Sequence, residues 1–300
     1  MCGICGIWNF ERRPILDGEI GVMAATLAHR GPDGQGILCE GDLALGHRRL
    51  AILDLSPAGH QPMSYAAGRY WITYNGEIYN FLELRAELAA NGYDFRSNSD
   101  TEVILAAYDA WGPKCLLRFN GMWAFAIWDR QQRALFLSRD RFGIKPLFYL
   151  IQDGRFAFAS ELKAFYALEG FRSEINWPVF KAELLDLHSQ EGGENTLLKG
   201  VRRLRPGHYA VVSAGQVRLV RWWRTLDHLV AVPRRFDDQV LQFRELFEDA
   251  CRLRMRSDVP IGTSLSGGLD SSSVVSTLAH VARQGGERLP ADWQRAFIAT

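Results

Sequence analysis

Up to about Arg224 the chain is punctuated by short runs that mix apolar and polar residues in alternation, "ALGHRRLAILDL", "RYWITYNGEIYN", "GMWAFAIWD", "RALFLSRD" and "RFAFASE". Alternation of period two is the pattern of strands that pack on one face. Between these runs "NFLELRAELAANG" repeats apolar residues at helical spacing and stops at Gly92, and "SDTEVILAAYDAWG" opens on capping residues and stops at Gly112. The pattern predicts layered sheets with helices outside them. "VRRLRPGHYAVVSAGQVRLVRWW" reads as a closing hairpin, and the shift to Pro and charge around "HLVAVPRRFDD" marks a domain boundary. A chain of 300 residues is long for one core, so two domains are expected, residues 2–224 and 237–300.

The second domain begins with the helix "DDQVLQFRELFEDACRLRM" and continues through "PIGTSLSGGLDSSSVVSTLAHVA", read as strand, tight glycine turn and helix, before "RAFIAT" starts another strand. In "SGGLDSS", Ser266 to Ser272, backbone N–H groups and a helix N-terminus converge and favour an anion. Gly267 and Gly268 permit tight turning, Ser266, Ser271 and Ser272 add hydroxyls, and Asp270 can meet a metal ion. The Gly-Lys-Ser/Thr ending of a Walker loop is missing. A helix cap whose glycines serve only the turn is the plainer alternative.

Nearly half the residues are hydrophobic and the net charge is +1, which leaves no overall field to draw nucleic acid or acidic lipid. There is no long apolar stretch of the kind that spans a bilayer and no signal-like h-region before Glu11, Arg12 and Arg13. A cytoplasmic protein with neither nucleic-acid nor membrane partner is expected. The five cysteines, Cys2, Cys5, Cys39, Cys115 and Cys251, are odd in number and scattered, as reduced thiols are.

The opening "MCGICG" sets Cys2 and Cys5 three residues apart. A zinc site needs two further ligands, and no second Cys-x-x-Cys or close His pair supplies them. A redox pair would follow a strand and open a helix. If Met1 is removed, the α-amino group of Cys2 lies close enough to act as base for its own thiol. From the residues alone, Cys2 stays open between nucleophile and buried thiol.

"MCGICG", "HRGPD" (29–33), "HRRLAILDLS" (47–56), "NGEIYN" (75–80), "SDTEVIL" (99–105), "FNGMWAFAIWD" (119–129) and "RDRFGIKPLFY" (139–149) together resemble the glutaminase domain of class II glutamine amidotransferases. Their order and spacing are similar to the glutamine-hydrolysing asparagine synthetase family, and "SGGLDSS" resembles the pyrophosphate loop of ATP pyrophosphatases. The resemblance covers essentially the whole chain. It implies an α+β four-layer αββα sandwich of the N-terminal nucleophile type over 2–224. The beginning of an α/β doubly wound ATP-pyrophosphatase domain would follow over 237–300.

It also implies roles. Cys2 would attack the side-chain amide of glutamine, with the Asn75 amide and the Gly76 N–H as oxyanion donors, a glycine there sparing the substrate from crowding. Arg49 would hold the substrate carboxylate, Glu77 and Asp100 its ammonium, and the backbone of Leu50, Ala51, Ile52 and Leu53 the pocket edge. For each charged residue a surface salt bridge is the bland alternative. Leu265 and Ala299 would touch adenine, with Ser266, Gly267, Gly268, Asp270, Ser271 and Ser272 around the phosphates of ATP. Mg2+ would accompany ATP through ligands the sequence does not identify.

The implied reaction converts L-glutamine, ATP and L-aspartate to asparagine, glutamate, AMP and pyrophosphate, and a homodimer is open to such a protein. A different carboxylate acceptor, a peptide or a sugar, would use the same machinery, and a non-catalytic glutamine-sensing module would use only the pocket. Roughly 65 residues cannot bury both faces of a doubly wound sheet, so a longer chain is expected. Cys5 reads as a packed thiol, His29 and His47 as structural hydrogen-bonders, "RDRFGIKP" as a turn, and Trp222 and Trp223 as packing at the domain seam.

Overall fold

The computed structural model describes residues 1–186, 192–213, 215–285 and 292–298. Two compact units emerge, Met1–Ala51 with Ser56–Thr225, and Ile52–Leu55 with Leu226–Thr300.

The first unit opens with β1 (Gly3–Asn9), α1 (Asp17–Ala25), β2 (Gly34–Glu40) and β3 (Leu43–Arg49). Next come β4 (Met63–Tyr65), β5 (Tyr70–Ile78), α2 (Phe81–Ala90) and α3 (Asp100–Trp111). A run of strands follows, β6 (Gly121–Asp129), β7 (Ala134–Arg139), β8 (Phe148–Gln152) and β9 (Arg155–Ala159). The unit closes with α4 (Trp177–Leu185), β10 (Arg202–Arg203) and the hairpin of β11 (His208–Ser213) and β12 (Gln216–Arg221). The strands make two antiparallel sheets, one ordered β10-β8-β9-β1-β3-β2 and the other β12-β11-β7-β6-β5-β4.

Alternation along β1 explains the layering. Ile4 and Trp8 enter the core between the sheets with Leu43, Leu45, Ala124, Ala126 and Trp128. Cys5 and Ile7 point the other way, beneath Ile20, Met23, Ala24 and Leu27 of α1 and the residues after it. A strand buried on both faces is apolar on both, which is why all of Gly3–Asn9 is buried. On the far side Tyr108 of α3 packs on Tyr70 of β5 and Phe136 of β7. Helix, two sheets and helices give the four-layer αββα sandwich of an α+β protein.

Local signals set the element ends. Ser99 Oγ accepts the Thr101 N–H at 3.1 Å and caps α3, satisfying one of the orphan donors at a helix start. The apolar run "ALGHRRLAILDL" is strand only as far as Arg49. Beyond it the Leu50 and Ala51 N–H groups donate to Cys2 Sγ and to Asp33 Oδ2 instead of to a ladder. Trp222 and Trp223 pack within this unit: Trp222 stacks on Trp123 with centroids 5.5 Å apart, and Arg141 covers Trp223 at 4.4 Å.

The second unit contains α5 (Phe236–Arg254), β13 (Ile261–Ser264), α6 (Leu269–Gln284) and β14 (Gln294–Phe297), with β13 and β14 parallel. Parallel strands joined through a helix are the start of a doubly wound sheet. Its core is small, gathering Cys251, Met255, Leu278 and Val281. The stretch Ile52–Leu55 belongs to this unit through Asp258, whose N–H donates to the Ile52 carbonyl at 3.0 Å and whose carboxylate accepts the Asp54 N–H at 2.8 Å. No helix among the described residues is long and apolar enough to cross a membrane.

Candidate active site

Cys2 immediately precedes β1, and Gly3 pairs with Arg48 of β3, so the antiparallel register sets position 2 against the segment leaving β3. There the Leu50 N–H donates to Cys2 Sγ at 3.3 Å, and Sγ lies 3.6 Å from the Leu50 carbonyl. Arg30 Nε donates to the Cys2 carbonyl at 2.9 Å, while its Nη1 donates to Glu161 at 2.8 Å. His29 and Lys163 hold the same Glu161 carboxylate at 2.9 and 3.3 Å. The backbone next to the thiol is therefore clamped from β9's end by a charged relay. Burial raises the Cys2 thiol above its usual range, opposed by the Leu50 contact, the chain's amine and Arg49. A thiol held neutral at rest needs an adjacent base to become a nucleophile. Met1 is half exposed and Cys2 partly buried.

Strand β5 supplies the facing wall, and its two faces do different work. Thr73 Oγ1 donates to the Gly46 carbonyl of β3 at 3.1 Å, so residues 73, 75 and 77 of β5 look toward the sheet that carries Cys2. Asn75 is 1% exposed, and its Nδ2 amide has no acceptor among the described residues. A buried donor left without a partner costs about 1–3 kcal/mol, which a ligand oxygen can recover. Glu77 lies on the same face, half buried, and is a principal charge felt by the buried Lys145 ammonium, which also feels Cys2.

The backbone of β5 is equally ordered. Its Tyr74 N–H donates to Gln61 Oε1 at 2.7 Å and its Ile78 N–H to Asp100 Oδ2 at 2.9 Å, both on the edge away from β6. Alternation places the Gly76 N–H on that edge between them. The fold itself also asks for glycine at 76: a Cβ would fall 2.2 Å from the Met122 carbonyl and 2.8 Å from Trp123 Cα. The nearest reason for glycine is the close approach of β6.

Asp100 opens α3, is 4% exposed and accepts from Tyr74 Oη at 2.8 Å as well as from Ile78. Burial pushes its carboxyl up to about 6 against those bonds. From β3, His47 donates Nε2–H to the Tyr74 carbonyl at 3.1 Å, and burial holds its imidazole down to about 3.

The two groups act on stability with opposite signs. His47 takes its proton more readily unfolded, so it removes stability as pH falls below about 6.5. Asp100 takes its proton more readily folded, so it removes stability as pH rises from about 4 to about 6. Asp100→Asn abolishes only the second effect. Its stability relative to wild type should therefore climb with pH by up to about 1.4 kcal/mol per pH unit across that window in urea titrations, and a difference independent of pH would contradict the assignment.

Of the residues expected to hold glutamine, the structure brings Cys2, Arg49, Leu50 and Asp100 together: Arg49 and Asp100 both act electrostatically on Cys2, and Arg49 Nη1 donates to the Ser56 carbonyl at 3.1 Å. Asn75, Gly76 and Glu77 line β5 beside Asp100's donors, and Ala51 is tied to Asp33 at 2.9 Å. Ile52 and Leu53 fall instead in the stretch that bonds to Asp258. Cys5 is fully buried beneath α1. Arg30, Glu161, Lys145 and Tyr74 were not singled out from sequence. Arg30 and Lys145 stand inside the quoted stretches "HRGPD" and "RDRFGIKPLFY", where attention to charge next to a nucleophile would have found them.

In the second unit, Ser266 and Ser271 hydroxyls meet at 3.1 Å, the Ser266 N–H donates to Ser271 Oγ at 3.2 Å, and Gly267 sits at φ +79°. Gly268 precedes α6 without a side-chain cap, and Ser266, Gly267, Gly268, Leu269 and Asp270 are exposed. Uncapped N–H groups, pooled hydroxyls and a glycine in the left-handed region fit a phosphate chain. Leu265 leads from β13 into this turn with its N–H on the Phe297 carbonyl at 2.8 Å, Ser272 follows in the helix, and Ala299 lies outside the described residues.

Comparisons with known proteins converge on this arrangement. A family model described as a glutamine amidotransferase domain matches residues 1–223, and one described as asparagine synthase matches residues 242–294. Asparagine synthetase (glutamine-hydrolyzing) 3 of Bacillus subtilis (strain 168) is 37% identical over 289 residues, covering 95% of this chain and 46% of that protein. Putative asparagine synthetase (glutamine-hydrolyzing) 2 of Methanocaldococcus jannaschii is 37% identical over 298 residues, covering 93% of this chain and 57% of that protein. The chain thus spans about half the length of the curated relatives it matches. Among solved structures, glutamine phosphoribosylpyrophosphate amidotransferase from B. subtilis aligns with a TM-score of 0.57 at 18% identity, over 93% of this chain and 64% of that one, a likeness of fold.

Proposed function

We propose, from the premise that this chain belongs to the family of glutamine amidotransferase domains, that residues 2–224 hydrolyse L-glutamine at Cys2 and residues 237–300 begin an ATP-pyrophosphatase domain that uses the ammonia. The observation that carries this reading is the buried Asn75 Nδ2 group, without an acceptor among the described residues, on the face of β5 turned toward the sheet of Cys2.

With Met1 removed, the Cys2 amine takes the Sγ proton as sulfur attacks the carboxamide carbon of glutamine. Charge gathers on the carbonyl oxygen, where the Asn75 amide and Gly76 N–H receive it. The ammonium so formed returns its proton to the departing nitrogen, the C–N bond breaks, and ammonia leaves a thioester on Cys2. Water, relieved of a proton by the same amine, then attacks the thioester carbon; the C–S bond breaks, glutamate leaves, and the ammonium returns its proton to Sγ. Arg49 pairs with the α-carboxylate, and Asp100 and Glu77 with the α-ammonium.

Residues 266–272 would hold ATP, whose adenylyl group would activate an acceptor carboxylate with pyrophosphate leaving. Gly267, Gly268, Ser266, Ser271 and Ser272 would hold its phosphates, Leu265 and Ala299 its base, and Asp270 is the loop carboxylate suited to Mg2+. Aspartate is the acceptor favoured by the names of the relatives, which makes asparagine the product.

The test has two parts. The chain of 300 residues should release glutamate from glutamine at the same rate with and without ATP and aspartate. A protein extended to the length of its relatives should yield asparagine by mass spectrometry. Glutamate-free incubations would sink the glutaminase reading, and a different amidated product would redirect the acceptor to a peptide or sugar carboxylate.

A further inference from the structure

We propose that Tyr74 is the positioning residue for the ammonium-binding carboxylate: its phenol hydroxyl, donating to Asp100 Oδ2 at 2.8 Å, aims Asp100 at the α-ammonium of glutamine and thereby sets selectivity for substrates that carry that group. The inference rests on the glutaminase reading and adds a residue to it.

Tyr74 is 2% exposed and is fixed on every side. Its N–H goes to Gln61 Oε1 at 2.7 Å and its carbonyl accepts from His47 at 3.1 Å. Its ring edge lies under Gly76, where a Cβ would come within 2.6 Å of Cε2. Gln61 in turn donates through Nε2 to Thr101 Oγ1 at 3.2 Å, the residue after Asp100. Tyr74, Gln61, Thr101 and Asp100 thus close a ring of contacts between β5 and the start of α3. One aromatic side chain ties the oxyanion-hole glycine to the carboxylate.

The distribution of donors on Asp100 gives the ring its purpose. The Tyr74 hydroxyl and the Ile78 N–H both fall on Oδ2 at 2.8 and 2.9 Å, whereas Ser99 Oγ reaches Oδ1 only at 3.5 Å and the Thr101 N–H adds a weaker contact to the carboxylate. A carboxylate accepts about four hydrogen bonds. Two strong donors on one oxygen orient the plane and keep acceptor capacity on the other for a cation. A phenol buried to this degree needs an acceptor, and the one it has is the carboxylate that opens α3.

The experiment compares wild type and Tyr74→Phe, both with Met1 removed, on glutamine and on 4-carbamoylbutanoate, which is glutamine without its amino group. Tyr74→Phe keeps the ring packing and removes one oxygen. The ratio of kcat/KM for glutamine over 4-carbamoylbutanoate should fall about tenfold, through KM for glutamine, with kcat changed by less than about threefold. In an Asp100→Asn background the same substitution should leave the ratio where Asp100→Asn has put it. An unchanged ratio, or an equal loss on both substrates, overturns the positioning role while leaving glutamine hydrolysis intact. A wild type inert to glutamine overturns the glaring premise of both readings at once.

Discussion

Under the proposed mechanism Cys2→Ala should abolish glutamine hydrolysis, by about 10⁴-fold or more, because nucleophile and base would be two ends of one residue. Cys5 is fully buried under α1 and its thiol is pushed up to about 12 by burial, so it cannot substitute. The loss is local. The Cys2 side chain contacts the backbone of Leu50, whereas the clamp from Arg30 runs to the Cys2 carbonyl, which alanine retains. Thermal stability should consequently change little, and in a protein extended to the length of its relatives, synthesis from free ammonia should survive. The check is glutamate release beside ammonia-dependent product formation. Equal loss of both would mean that Cys2 serves the fold or the second domain and not glutamine.

Asn75→Ala should give the second large effect if Asn75 serves as the proposed oxyanion donor, and it separates catalysis from stability. Removal of one oxyanion donor costs about 10²–10³ in kcat with little change in KM, because the bond strengthens only as charge develops on the substrate oxygen. The fold should lose nothing comparable, and can gain, since the Nδ2 group is buried without an acceptor among the described residues and its removal relieves a desolvation cost of about 1–3 kcal/mol. Steady-state kinetics and urea titration of the same preparation measure both. A variant that loses stability in proportion to activity would show that the amide supports β5 and not the reaction.

Much of the frame was legible because it is written in local periodicity. Ile4 and Trp8 alternate with Cys5 and Ile7, and the structure sends one pair between the sheets and the other beneath α1. Ser99 and Gly112 bracket α3 as capping chemistry requires, Gly112 with φ +56°. The apolar "LAILDL" after Arg49 misleads for a physical reason: its first N–H groups are taken by Cys2 and Asp33, and the stretch from Ile52 bonds to Asp258, so no partner strand remains.

The candidate site was legible only as a set of motifs. Its supporting contacts join residues far apart in the chain, Arg30 with Glu161 and Tyr74 with Asp100, and no periodicity announces such pairs. Gly76 shows the same limit in reverse. A glycine in "NGEIYN" can be read as space for a ligand, but it faces the backbone of Met122 and Trp123, which only the register of β5 on β6 reveals.

If the sulfur of Cys2, beside a freed amine, attacks a carboxamide held in a charge-matched pocket, it should also be alkylated by 6-diazo-5-oxo-norleucine, an electrophile shaped like glutamine. Intact mass spectrometry after that incubation should show protein lacking Met1, one adduct per chain mapped to Cys2, and protection by excess glutamine. Protein that begins with Cys2 and gains no mass, or gains it on another cysteine, would contradict that attack.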